Sequence, residues 1–157
     1  MIDGAFTQIL EVVLALLLVV AAVIDVRTFT ISNRLNLVVA GLAPLYWLAN
    51  GLPLWPEIAI QVAVAAGVFV LLAGAFYAGM MGGGDVKLAA ALALWLSPAS
   101  TLKFLVFMSL AGGLLTLFIL VAHRLRSKPG KPEIPYGVAI AAGGLAILAQ
   151  RFLNQFV

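Results

Sequence analysis

Two aspartates, Asp25 and Asp85, are the residues of this sequence best suited to chemistry. Each lies at the edge of an apolar run, where an ionisable side chain is costly and by default marks a functional site. Two neighbouring carboxylates can divide the work of a base and an acid. Three glycines, Gly82, Gly83 and Gly84, precede Asp85 and favour a backbone with unusual angles that an extended peptide can approach closely. Either carboxylate alone could still be a solvated helix end, and Asp85 could simply cap a helix.

The composition places these carboxylates in a membrane. Of the 157 residues, 64% are hydrophobic and 10% are charged, whereas soluble domains carry about 25% charged residues. We therefore expect one integral membrane domain over residues 1–157. The net charge of +3 is spread over loops and indicates topology, not nucleic-acid binding. With no cysteine and one histidine, the chain cannot use cysteine chemistry, and we expect neither a metal site nor a cofactor.

The apolar runs predict an all-α fold with six transmembrane helices. Turn-forming residues such as Ser97-Pro98 separate the runs. At about 1.5 Å per residue, the fourth run covers roughly half of a hydrocarbon core. It either is re-entrant or spans the bilayer, in which case Gly84-Asp85 and residues 97–101 extend it or the bilayer thins locally. The six predicted helices cover residues 9–24, 35–49, 58–78, 86–96, 104–122 and 136–153.

The basic loops predict how these helices are oriented. The loop with Arg27 and Arg34 and the loop over residues 124–131 should both be cytoplasmic. Only a spanning fourth helix puts both loops on one side, with both chain ends outside the cytoplasm and both aspartates at the cytoplasmic face. We interpret Arg27, Lys87 and His123 as anchors at that boundary. Alanines and glycines crowd the last three helices and predict close packing.

Residues 25–35, 82–88 and 134–137 form three sequence blocks whose content and order resemble the type IV prepilin peptidases. Residues 82–85 fit the GxGD signature of membrane aspartyl proteases, and residues 86–88 continue it as in prepilin peptidases. Asp25-Val26-Arg27 followed by residues 31–35 is similar to the family's Asp, Arg and Ile-Pro-Asn-like pattern, although Ser32 stands where proline is usual. Residues 134–137 resemble the segment that opens the family's last helix. The chain looks most like the short members of the Tad or Flp pilus type.

The resemblance implies an aspartyl endopeptidase with Asp25 and Asp85 as its catalytic residues, without showing which is the base. It implies prepilin or pseudopilin substrates, whose short basic leader stays in the cytosol while their apolar helix lies in the bilayer. The cut would follow a glycine, and Gly82, Gly83 and Gly84 would contact the substrate. The expected location is a bacterial or archaeal cytoplasmic membrane. The chain lacks the cysteine-bearing insertion of long members, so we expect peptidase activity without methylation, or methylation of the product by another protein.

Two other classes of function are compatible with the sequence. A small ion or proton transporter could use the two carboxylates as a relay, and a structural subunit of a membrane complex could use neither. A relay favours acidic residues at several depths, but the third, fifth and sixth apolar runs contain none. This distribution favours the peptidase. The oligomeric state is not indicated by the sequence.

Overall fold

Six α-helices make up most of the part of the chain that the computed structural model describes, which is residues 4–126, 130 and 132–154. Each predicted apolar run overlaps one helix, so the all-α fold and the six predicted helices are confirmed. The chain ends and most of the basic loop at residues 127–131 lie outside the described residues. The helices are α1 (Gly4–Thr28), α2 (Asn33–Ala49), α3 (Ala59–Tyr77), α4 (Gly83–Ala93), α5 (Pro98–Leu125) and α6 (Tyr136–Asn154).

Within the described residues, four helical segments are long and apolar enough to cross a bilayer. They are α1, α3 together with the kinked turn Leu54–Ile58 that leads into it, α5 and α6. The chain is therefore a multi-pass membrane protein. Helix α2 has 17 residues and α4 has 11. The predicted spans of α2 and α4 thus rest on the charge of the loops and not on helix length.

Helix α4 lies at the centre of the bundle. It packs against α2, α3 and α6, while α1 packs against α2 and α6, and α5 packs mainly against α6. The side chains of Leu88, Ala89 and Leu92 are fully buried. A helix too short to span by itself is tolerated at membrane depth when protein, and not lipid, surrounds its irregular ends.

The connection after α4 differs from the expected extension of the fourth helix through residue 101. Helix α4 ends at Ala93, and Ser97 caps the next helix because its hydroxyl accepts a hydrogen bond from the backbone N–H of Ser100 at 3.3 Å. Pro98 then occupies the first turn of α5, where its missing N–H costs nothing. Residues 97–101 therefore begin α5, and that part of the prediction was wrong.

A buried polar cluster holds the end of α4 that lies away from the aspartates. The Arg151 guanidinium on α6 donates hydrogen bonds to the backbone carbonyl of Trp95 at 2.9 Å, the hydroxyl of Tyr46 at 2.9 Å and the carboxylate of Glu11 at 3.2 Å. The indole N–H of Trp47 donates to the carbonyl of Leu94 at 2.8 Å. These bonds satisfy carbonyls that the end of a helix leaves unpaired.

Small residues bring α6 close to its neighbours, as predicted. A Cβ on Gly144 would lie 2.7 Å from Leu92 Cδ2 and 2.8 Å from Leu18 Cδ1. A Cβ on Gly143 would lie 3.0 Å from the backbone nitrogen of Met108. Glycine therefore lets α6 approach α1, α4 and α5 more closely than any side chain would permit.

Candidate active site

Asp25 lies in the last turn of α1, and its carboxylate faces the beginning of α6. The side chain is 2% exposed, and Oδ2 accepts a hydrogen bond from the backbone N–H of Gly137 at 2.7 Å. The first N–H groups of a helix have no partner inside the helix and carry partial positive charge. The aspartate of one helix thus caps another, across 112 positions of sequence.

Gly137 is required by this close approach. A Cβ at this position would lie 2.8 Å from Asp25 Oδ2 and 2.7 Å from Ile31 Cδ1. The sequence signalled this residue only as the last member of the block at residues 134–137. Its function as the partner of the Asp25 carboxylate depends on how α1 and α6 pack, which spacing in the sequence does not reveal.

Asp85 is the third residue of α4 and is held by the turn before it. It is 6% exposed, and its Oδ2 accepts a hydrogen bond from the backbone N–H of Gly82 at 3.1 Å. Its Oδ1 is buried and has no hydrogen-bond partner among the described residues. The capping interaction considered from the sequence is therefore present, but it uses one carboxylate oxygen and leaves the other unpaired.

The glycine run does not adopt the unusual backbone angles that we expected. Gly82 has φ −75° and ψ 147°, which other residues adopt readily, and Gly83 and Gly84 are helical. Gly84 is instead required by packing, because a Cβ there would lie 2.6 Å from the carbonyl oxygen of Ile31. Contact of these three glycines with a substrate stays a prediction.

The segment from Ile31 to Asn36 follows α1, which carries Asp25, and contacts the start of α4, which carries Asp85. The Ser32 hydroxyl caps α2 by accepting from the backbone N–H of Leu35 at 3.3 Å, so serine is a suitable residue where proline is usual. Asn36 donates to the carbonyl of Gly84 at 3.0 Å. The Lys87 ammonium donates to the side-chain oxygen of Asn33 at 2.8 Å. Lys87, interpreted above as a membrane anchor, therefore also links α4 to α2.

The fold brings the two carboxyl groups near each other, while their common membrane face stays a prediction. They are close enough for their charges to interact. Asp85 lines a cavity of about 260 Å³ together with the turn before α4 and the segment before α6; among the described residues Asp25 does not line it. The cavity is also lined by Phe29, which has a left-handed backbone with φ 51°. The pair therefore combines a carboxyl group at the cavity wall with a more deeply enclosed one.

The single histidine of the sequence is hydrogen-bonded to a backbone carbonyl. The His123 ring nitrogen Nε2 is hydrogen-bonded to the carbonyl of Gly130 at 2.9 Å. Among the described residues, no three histidine, cysteine, aspartate or glutamate side chains are grouped as metal ligands would be. The chemistry that this site can perform with its own residues is proton transfer between two carboxyl groups and a bound molecule.

The fold and the site together define a class: an all-helical, multi-pass membrane protein with two buried aspartates near each other, one of which lines a cavity. Comparison with family models narrows that class, because the model of the type IV leader peptidase family matches residues 12–117. The chain belongs to this family, which supports a leader-peptidase-like protease. No curated protein and no solved structure matches the chain. The matched range includes both aspartates and ends before Gly137.

Proposed function

We propose that this protein is an aspartyl endopeptidase that removes the short basic leader from type IV prepilin-like, Flp-type substrates at the cytoplasmic face of a bacterial or archaeal cytoplasmic membrane. The observation that carries the proposal is the pairing of Asp25 and Asp85 beside a cavity in a chain of the type IV leader peptidase family. Both side chains are buried, and one oxygen of each accepts a backbone N–H at the start of a helix.

The proposed mechanism uses the two carboxyl groups as one unit. Two neighbouring carboxylates resist joint ionisation, so one keeps a proton and the other is ionised. The ionised group takes a proton from water as the water attacks the scissile carbonyl, and the protonated group polarises that carbonyl. Because the two groups titrate as a pair, the roles of base and acid belong to the pair as a whole, and neither aspartate is assigned to one role. The Asp85 side chain lies at the cavity wall, and its buried Oδ1, which has no hydrogen-bond partner among the described residues, is the oxygen left free to take part in proton transfer.

The surroundings of the cavity support a basic leader as the substrate. Besides Asp85, the one charged side chain that lines the cavity within the described residues is the exposed Glu133. A carboxylate at the entrance attracts a lysine or arginine of a leader peptide. Helix α1 ends at Thr28 and α2 begins at Asn33, so the connection between them has no space for an inserted domain. This short connection supports peptidase activity without methylation.

The proposal is tested by replacing each aspartate with asparagine and measuring cleavage of a co-reconstituted prepilin. Asparagine keeps an oxygen that can accept from Gly137 or Gly82, so the bundle should keep its thermal stability. General acid–base catalysis contributes about 10²–10⁴-fold, so we expect losses of about that size or greater from either Asp25→Asn or Asp85→Asn. The double variant should be hardly worse, because residues that act as a unit are not additive.

A matched control is Glu57→Gln, which neutralises an exposed carboxylate in the turn before α3 and should leave cleavage unchanged. Substantial processing by either well-folded aspartate variant would eliminate the two-aspartate mechanism. Altered ion or proton flux with intact processing would indicate a transporter. Loss of a membrane complex without any loss of chemistry would indicate a structural subunit.

A further inference from the structure

A second, apolar cavity of about 450 Å³ lies between α3, α5 and α6, and we call it the lateral groove. Its walls are formed by the end of α3 and the turn after it on one side and by α5 on the other, with the first turns of α6 as the floor. The described residues that line it carry no charge. They are Ala75, Met80, Met81, Met108, Ser109, Gly112, Gly113, Thr116, Leu117, Leu120, Tyr136 and Ile140.

The lateral groove is continuous with the cavity at the aspartates. Met80, Met81 and Tyr136 line both. Asp85 lines the smaller cavity, is 6% exposed and has the buried, unpaired oxygen Oδ1. A molecule seated in the groove therefore extends, past three shared side chains, to a carboxyl group of which one oxygen has no hydrogen-bond partner among the described residues.

One face of α5 is shaped to receive a helix. The α5 residues that line the groove recur in two rows of spacing four, which is the spacing of a helix surface ridge. Small residues, Ser109, Gly113 and Thr116, lie along it, and small residues allow the backbones of two membrane helices to approach closely. A Cβ on Gly113 would meet nothing within 4 Å, whereas one on Gly112 would contact Tyr136 and Ala139 of α6. Gly112 thus serves packing inside the protein, and Gly113 faces open space.

The methionines of the chain converge on the same groove. The sequence has four, and all three beyond the first residue, Met80, Met81 and Met108, line it. Methionine side chains are flexible and polarisable, and they are used at surfaces that accommodate varied apolar partners. The groove is therefore adaptable in shape, as a site for several related apolar sequences requires.

We propose that the lateral groove binds the apolar helical segment of the substrate that adjoins the scissile bond, so that the bond itself enters the cavity at Asp85. This docking site rests on the proposed peptidase function and adds to it the surface that selects an apolar helix. The continuity of the groove with the carboxyl pair favours a substrate segment over a lipid acyl chain or a second copy of this chain, neither of which needs to reach Asp85.

A kinetic experiment tests the docking site separately from the catalytic pair. The variant Gly113→Leu places a side chain in the open space of the groove, so the full-length substrate should show a KM raised about 10-fold or more, as expected when a buried apolar contact is lost, with kcat unchanged. A short peptide with the leader and scissile bond but no apolar segment should be cleaved as by the unmodified protein. Leu114→Phe is the control, since Leu114 is 70% exposed and does not line the groove.

Cross-linking provides a second readout, because the chain has no cysteine of its own. We expect Thr116→Cys to form disulfides with single cysteines placed along the apolar segment of the substrate, at positions three or four residues apart. Leu114→Cys should not. Unchanged KM in Gly113→Leu together with equal cross-linking from both positions would overturn the docking site and fit a lipid-filled groove. Disulfides between two copies of Thr116→Cys in place of substrate would overturn it in favour of self-association.

Failure of the peptidase function itself would be recognised differently. In that case the unmodified protein would cleave neither the full-length prepilin nor the short peptide, and the docking site would be refuted with it. If the unmodified protein cleaves both while the groove variants behave like their controls, the docking site alone is refuted.

Discussion

Gly84 provides the sharpest test of how the fold positions the carboxyl pair. The variant Gly84→Ala adds one methyl group, which would lie 2.6 Å from the carbonyl oxygen of Ile31 and 3.1 Å from its Cβ. Ordinary contacts begin at 3.4 Å, so the start of α4 and the backbone at Ile31 must separate by up to 0.8 Å, the difference between 3.4 and 2.6 Å. The obstacle is backbone and cannot rotate away. Overpacking of this kind costs about 1–3 kcal/mol.

The displacement should affect catalysis more than stability. Asp85 follows Gly84 directly, and Ile31 also packs against Gly137, the partner of Asp25. A misplacement of about 1 Å at a catalytic group can cost about 10²-fold in rate. We therefore expect Gly84→Ala to lower kcat by about that factor, and Gly84→Val to abolish prepilin cleavage while still inserting.

The assay is cleavage of a co-reconstituted prepilin, with thermal unfolding in detergent measured in parallel. The control is Gly74→Ala, a helical glycine of α3 whose added Cβ would meet nothing within 4 Å; this variant should cleave normally. Gly83→Ala separates two roles for the glycine run, since its Cβ would lie 3.4 Å from the Phe76 ring, an ordinary contact. A loss of activity there without a loss of stability would indicate contact with substrate. Near-normal turnover by Gly84→Ala would refute our account of the site.

Three further predictions follow from composition and packing. Arg151→Met should lower the free energy of unfolding by about 3–5 kcal/mol, because it leaves Glu11 buried without its cation. Adding Glu11→Gln to this variant should restore part of the lost stability in thermal unfolding. Unchanged stability of Arg151→Met would show that the ion pair contributes nothing. Cleavage should survive exhaustive chelation, because the described residues offer no group of three metal ligands; loss of activity restored by zinc would contradict this. Accessibility probes should find a C-terminal tag outside the cytoplasm and position 127 inside, and a cytosolic C-terminus would refute the six-span topology.

The sequence predicted the helices well because hydrophobic runs and turn residues are local signals. The start of α4 and the turns around it carry glycine, serine and proline, whose backbone effects depend on few neighbours. The end of α4 was predicted less well. Its termination at Ala93 depends on carbonyls that accept from Trp47 and Arg151, on helices remote in sequence. Such tertiary bonds leave no trace in the spacing of apolar residues.

The pairing of the aspartates was predicted from their common membrane face, but the residues that hold them were not. Gly137 binds Asp25, and Asn36 and Ile31 fix the segment before Asp85. Each of these contacts joins residues at least 48 positions apart. The glycine run is the opposite case, because the sequence identified these residues but the reason that we inferred for them, an unusual backbone, was incorrect. Position 84 requires glycine because Ile31 occupies the space that a side chain would take, and not because the backbone turns unusually.

The position of the carboxyl pair depends on a helix that is fixed at both ends by its neighbours. Helix α4 has 11 residues, about half of the length that spans a bilayer, so lipid cannot set its depth. At one end Asn36 holds the carbonyl of Gly84, and at the other Arg151 holds the carbonyl of Trp95. These contacts place Asp85 at the level of the last turn of α1, where Asp25 lies. A longer helix would be positioned by the bilayer, whereas this one is positioned by hydrogen bonds, which makes the geometry of the pair a property of the bundle and independent of membrane thickness.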